Sequence, residues 1–126
     1  MSPYFKHVKE AWQRRHHPNM LFLFYEELSK DLAAVVRRVA TFLEKDINEE
    51  QIEKLCDHLN IENFKKNKSV NLEEVTKLAN GNLSFIRKGQ VGNWKEYFDE
   101  EMTQQAERWM ADNLRDTDLT FEQINT

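Results

Sequence analysis

The sequence predicts an α/β chain that is mostly helical, with one buried β-strand at about residues 20–25. Two observations carry this. Apolar residues recur at helical spacing in four separate segments. Between the first two lies Met20-Leu21-Phe22-Leu23-Phe24-Tyr25, apolar throughout if Tyr is counted and without alternation. That is the pattern of a strand covered on both faces. Pro18 and Asn19 in front of it, and its aromatic content, favour a strand over a buried helical turn.

Each element has its own reasons. Pro3 to Arg15 reads as a helix, with Ser2 as N-cap, Pro3 at the first helical position, and Tyr4, Val8, Ala11 and Trp12 on one face. After the strand, Ser29 is the expected cap of a helix over about Lys30 to Glu44, with Leu32, Val35, Val36, Val39, Phe42 and Leu43 as its apolar stripe. A further helix is expected from about Asn48 to Leu59, where Asn48 and Gln51 form a capping pair and Ile52, Leu55, Cys56 and Leu59 share a face. A short turn at Glu62 to Lys66 follows. Asn67 to Ser84 is polar, weakly helical at Leu72 to Leu78, and holds the turn signal Asn80-Gly81; it reads as a long loop or lid. The last helix covers about Glu100 to Leu114, with Met102, Ala106, Trp109 and Met110 inward. Phe121 and Ile124 are expected to dock the tail.

At 126 residues the chain has the size of one small domain. With 40% hydrophobic and 32% charged residues it belongs among globular rather than disordered chains. A net charge of -4 argues against general affinity for nucleic acid or an anionic membrane, while leaving local basic sites open. The run at Met20 to Tyr25 is too short to span a bilayer, and no N-terminal charged-then-apolar signal is visible, so the expected location is cytoplasmic. The single Cys56 fits a reducing compartment. His16 and His17 are adjacent but lack the further ligands a metal requires, and they read as a solvated helix end; no metal is expected.

A lone strand with two apolar faces needs neighbours, because its backbone groups would otherwise go unpaired. No second convincing strand exists in this sequence. Either the strand pairs with another chain or the rest of a sheet lies elsewhere. The alternative is a self-standing helical interaction module.

The chemistry concentrates in Phe85-Ile86-Arg87-Lys88-Gly89-Gln90-Val91-Gly92-Asn93-Trp94-Lys95-Glu96-Tyr97-Phe98. Arg87 offers a planar fork for two phosphate oxygens and Lys88 a compact point charge. Gly89 and Gly92 let the backbone approach a ligand or take φ > 0. Phe85, Trp94 and Phe98 bracket the cations with apolar anchors. The stretch reads as an anion-gripping loop on a packed base, against the plain alternative of a solvated basic pair.

This stretch also resembles the C-terminal signature of the cytosolic sulfotransferases, with Asn93 where Asp is usual. Tyr25-Glu26-Glu27-Leu28 is similar to that family's Tyr-Glu-Asp-Leu segment, and Pro3 to Val8 to the entry of its preceding helix. The resemblance covers nearly the whole chain. It implies the C-terminal portion (1–126) of a single P-loop-like α/β domain whose phosphosulfate loop, catalytic histidine, and further 3′-phosphate-holding Arg and Ser lie upstream. It implies 3′-phosphoadenosine 5′-phosphosulfate as co-substrate and a small-molecule hydroxyl or amine as acceptor. By position, Arg87, Lys88 and Gly89 match the 3′-phosphate grip and Tyr25 a residue on the adenine. The family's Thr-Ser-Phe corresponds to Leu59, Asn60 and Ile61, so Ile61 would cover the base without stacking. The family's dimer motif is poorly matched by Lys95, Asp99, Glu100 and Gln104. No Gly-x-x-x-x-Gly-Lys loop is present, and His7, His16, His17 and His58 do not match the general base, so no catalytic residue is assigned and the chain alone is expected to be inactive. A truncated relative that binds the nucleotide without turnover is the remaining alternative.

Overall fold

A computed structural model describes residues 3–72 and 86–121. The chain divides into two compact units, one made of Met1–Glu26 with Val91–Thr126, the other of Glu27–Gln90. Ser2, Phe85, Ile124 and most of the expected loop, with Asn80-Gly81, lie outside the described residues.

The first unit is built on α1 (Tyr4–Gln13) and α6 (Glu100–Leu114). Pro3 stands at the N-cap of α1, one position earlier than its spacing suggested, and its carbonyl accepts from the His7 N–H at 3.1 Å. Phe5, not Tyr4, is the buried aromatic of this helix: Phe5 is 4% exposed and Tyr4 57%. The Phe5 ring meets Tyr4 edge-on at 5.1 Å and Trp109 of α6 at 4.6 Å. Phe5, Val8 and Trp12 stand at i, i+3 and i+7, which is the true inward stripe. The end of the chain returns to the same helix. Lys9 Nζ donates to Asp116 at 3.0 Å, Trp12 Nε1 donates to Asp118 at 2.8 Å, and Leu119 beside them is 1% exposed.

The expected strand at 20–25 is not formed. Residues 20–24 have no regular structure and are half-buried, and Tyr25 already begins α2 (Tyr25–Lys30). No strand occurs among the described residues. The cause is the one that made the strand problematic in the sequence: a ladder needs a second strand to exchange N–H and C=O bonds. The side chains pack on α1 instead. Trp12 meets Phe22 at 5.3 Å and Phe24 at 6.1 Å, both edge-on, and the two phenyl rings meet each other at 5.4 Å. Residues two apart sharing one neighbour is the period of extended chain.

In the second unit α3 (Leu32–Phe42) packs on α4 (Glu49–Leu59), and α5 (Ile61–Phe64) follows α4 closely. Ser29 is not the cap of α3, because it lies inside α2. Asp31 breaks the helix at φ -149° and caps α3, its carboxylate accepting from the Ala34 N–H at 3.1 Å. The capping box of α4 is present as the sequence suggested, with Asn48 and Gln51 satisfying each other's backbone N–H groups at 2.9 Å. The buried side chains of this unit are Val35, Val36 and Ile52. Leu43 is 57% exposed and falls outside the stripe.

The helix α6 occupies the expected bounds, but its apolar stripe is not sealed: Met102 is 44% exposed and Trp109 54%. Asp99 caps it by accepting from the Met102 N–H at 2.8 Å. No helix among the described residues is long and apolar enough to cross a membrane.

Two predictions follow from this packing. Ile52→Ala removes a side chain that is 4% exposed and costs about 2–5 kcal/mol, whereas Leu43→Ala costs less than about 1 kcal/mol; urea unfolding of both variants distinguishes them. The hydrogen bond from Trp12 holds the Asp118 carboxyl below its ordinary value of 3.8. A folded value below the unfolded one gives stability that is complete above that pH and is lost as pH falls through the depressed value. Asp118→Asn therefore lowers the melting temperature at neutral pH, and its gap from the parent closes as the pH drops below 3.8.

Candidate functional site

The cationic loop lies in the second unit. Ile86 is half-buried, while Arg87, Lys88, Gly89 and Gln90 are exposed and without regular structure. Gly89 sits at φ +64°, a conformation open to glycine at no steric cost. Its backbone also presses on a neighbour. A Cβ added there would stand 2.7 Å from Ile61 Cγ1 and 3.0 Å from Ile61 Cβ and Cδ1. Two demands thus meet at one residue, a positive φ and a missing side chain, and only glycine meets both.

The other side of this contact is a firmly held residue. Ile61 opens α5, whose N-cap Asn60 accepts from the Glu62 N–H at 3.0 Å through its side chain and from the Phe64 N–H at 2.7 Å through its carbonyl. Asn63 Nδ2 then reaches back to the Asp57 carbonyl at 2.8 Å and to the Asp57 carboxylate at 3.2 Å, tying α5 to the end of α4. The loop backbone rests on a short helix clamped to a longer one. Exposed cations on a supported backbone are an arrangement suited to an anion.

Of the residues expected at a nucleotide site, the structure brings Gly89 against Ile61 and places Arg87 and Lys88 immediately before that contact. Tyr25 stands in the other unit, at the start of α2, and is 52% exposed. Trp94, expected as a support of the loop, has its own partners in the first unit. It meets Phe98 edge-on at 5.3 Å, and Lys95 Nζ lies 5.9 Å from its ring centre. It follows Gly92, which at φ +80° opens a single 3₁₀ turn over Asn93–Glu96. The Gly89–Ile61 contact was not foreseen. The signal for it was the glycine directly after the cation pair, but the partner is 28 positions away and no local pattern names it.

The first unit carries a cavity of about 630 Å³ lined by Phe5, Trp94, Phe98, Trp109 and Met110 among others, so the Trp109 part of the α6 stripe opens on it. His7, His16, His17 and His58 are all exposed, and His17 Nδ1 accepts from the Asn19 N–H at 3.1 Å in the turn after α1. No group of three or more His, Cys, Asp or Glu side chains among the described residues is placed to hold a metal ion. Displaced pKa values occur on the surface: the hydrogen bond to Glu49 raises Arg37, and the hydrogen bond from Lys9 lowers Asp116.

Comparison with known proteins places this architecture. The family model for the sulfotransferase domain matches residues 1–118. Luciferin sulfotransferase of Photinus pyralis is 35% identical over 127 aligned positions, covering 96% of this chain and 34% of that protein. The crystal structure of retinol dehydratase in complex with androsterone and the inactive cofactor PAP superposes with a TM-score of 0.90 at 55% identity, over 96% of this chain and 36% of the other. A mouse sulfotransferase complexed with PAP superposes at a TM-score of 0.76 and 24% identity, a likeness of fold alone. The chain belongs to the sulfotransferase family, whose solved members are α/β proteins. It spans about a third of the length of these relatives.

The geometry separates two glycines. Gly92→Ala meets nothing within 4 Å and costs only the left-handed backbone, about 1 kcal/mol. Gly89→Ala adds the collision with Ile61, about a further 1–3 kcal/mol. Urea unfolding of the two variants side by side measures the difference; equal losses would mean the Ile61 contact is not made.

Proposed function

We propose that this chain supplies the 3′-phosphate-gripping wall of a sulfotransferase that uses 3′-phosphoadenosine 5′-phosphosulfate as co-substrate. The observation that carries the reading is the Arg87-Lys88-Gly89 loop, seated on Ile61 in a chain of this family. Retinol dehydratase, crystallised with PAP, supports the nucleotide class.

When bound, the co-substrate supplies the sulfuryl group that passes to a hydroxyl or amine, leaving adenosine 3′,5′-bisphosphate. Arg87 donates two parallel N–H bonds to the 3′-phosphate. Lys88 adds a point charge beside it. Gly89, without a side chain, lets the loop backbone lie close to the phosphate. Ile61, in the same unit as the loop, covers the adenine. These groups bind and orient the nucleotide, and they hold its 3′-phosphate through both states of the transfer. None of them takes the acceptor's proton, and the four histidines are exposed and do not match the family's base. The chain alone therefore binds nucleotide and does not turn over, and the whole domain's reaction requires residues outside it. The acceptor is a small molecule, as the retinol and androsterone of retinol dehydratase suggest by analogy.

A second reading has one observation in its favour. The apolar cavity of the first unit, with the half-exposed Trp109 in its wall, suits a helical module that binds another protein.

Calorimetric titration with adenosine 3′,5′-bisphosphate decides between them. Arg87→Glu reverses a charge at the phosphate and lowers affinity at least about tenfold under the proposed reading, since one charge-assisted pair alone is worth about 1.5–3 kcal/mol. An Arg87→Glu chain that binds as tightly as the parent would favour the interaction module.

A further inference from the structure

Resting on the phosphate-grip reading, we infer that Ile61 is a positioning residue for the Arg87–Lys88 pair, not only a cover for the adenine. Its side chain is the surface on which the Gly89 backbone lies. Its bulk therefore sets how far the two cations reach toward a nucleotide phosphate.

The geometry leaves little slack. Three atoms of Ile61, Cγ1, Cβ and Cδ1, stand within 3.0 Å of where a Cβ on Gly89 would be. Ile61 thus fills the space that a side chain on Gly89 would take, and it stands in the way of the loop on that side. A smaller residue at position 61 would remove that stop and leave the Gly89 backbone less supported on this side. Ile61 itself is fixed by the Asn60 cap and by the Asn63 bonds to Asp57, so the position of α5 is passed on to the loop. A β-branched side chain suits this role: its χ1 is stiff, and both γ carbons stay in place.

A group that merely covers the base and a group that aims the phosphate grip behave differently toward nucleotides with and without a 3′-phosphate. The test is competitive calorimetry of the full chain with adenosine 3′,5′-bisphosphate and with adenosine 5′-monophosphate. Ile61→Ala is expected to weaken the bisphosphate by about tenfold, the worth of one weakened charge-assisted contact. It should weaken the monophosphate by a smaller factor, about twofold to threefold, the lost cover of the adenine that both nucleotides share. Ile61→Val keeps both γ carbons and should restore the parent ratio. If Ile61→Ala melts below the assay temperature, Gly89→Ala strains the same contact from the loop side and should give the same bisphosphate-selective loss. Equal weakening of both nucleotides by Ile61→Ala, or no weakening of the bisphosphate, overturns the inference. Arg87→Glu is the control that separates the two levels. If it leaves bisphosphate affinity intact, the phosphate-grip reading fails; if it abolishes affinity while Ile61→Ala does nothing, only the positioning role fails.

Discussion

The contact between the Gly89 backbone and the Ile61 side chain is the constraint on which the candidate site depends. An exposed cationic loop has many conformations available, and ordering one residue's backbone costs about 1–2 kcal/mol. A loop that must find its shape at the moment of binding pays that cost from its affinity. Here part of the shape is set in advance by a glycine at positive φ lying against a residue that is itself capped and tied to α4. Position 61 thereby links a helix end, fixed by ordinary capping chemistry, to the two cations that carry the chemistry of the loop.

A second constraint acts on the first unit, where an apolar segment has no strand beside it. Met20 to Phe24 keeps its aromatic side chains in contact with Trp12 but makes no ladder. The same unit leaves the stripe of α6 open along a cavity. Both features fit a chain that spans about a third of its relatives' length and shares their fold over nearly all of its own. The ties that close the unit join the two ends of the chain: the Lys9–Asp116 and Trp12–Asp118 bonds and the burial of Leu119.

Much of this was legible in the residues, and the exceptions have physical reasons. The capping box at Asn48 and Gln51 and the bounds of α6 were readable because caps and helical periodicity are local signals. The strand was misread because continuous apolarity reports burial and aromatic content, not the presence of a partner to bond with. Ser29 lost the capping role to Asp31 two positions later, since both residue types cap well and only the observed break in the backbone chooses between them. Tyr4 was taken for the inward aromatic where Phe5 is, because Val8 and Trp12 stand at helical spacing from both and the pattern does not choose between them. The cation pair and its glycine were visible as candidates, but their support was not. Ile61 and Gly89 meet through tertiary packing, and no spacing rule joins residues so far apart in the chain.

The central claim is that this chain folds a working phosphate grip by itself. The most direct measurement is a thermal melt of the purified chain with and without adenosine 3′,5′-bisphosphate. A ligand that binds only the folded state at about a hundred times its dissociation constant adds about 2.7 kcal/mol of stability. The account predicts a cooperative transition that moves upward with the nucleotide and returns toward its starting point in Arg87→Glu. A cooperative transition that the nucleotide does not move would contradict it.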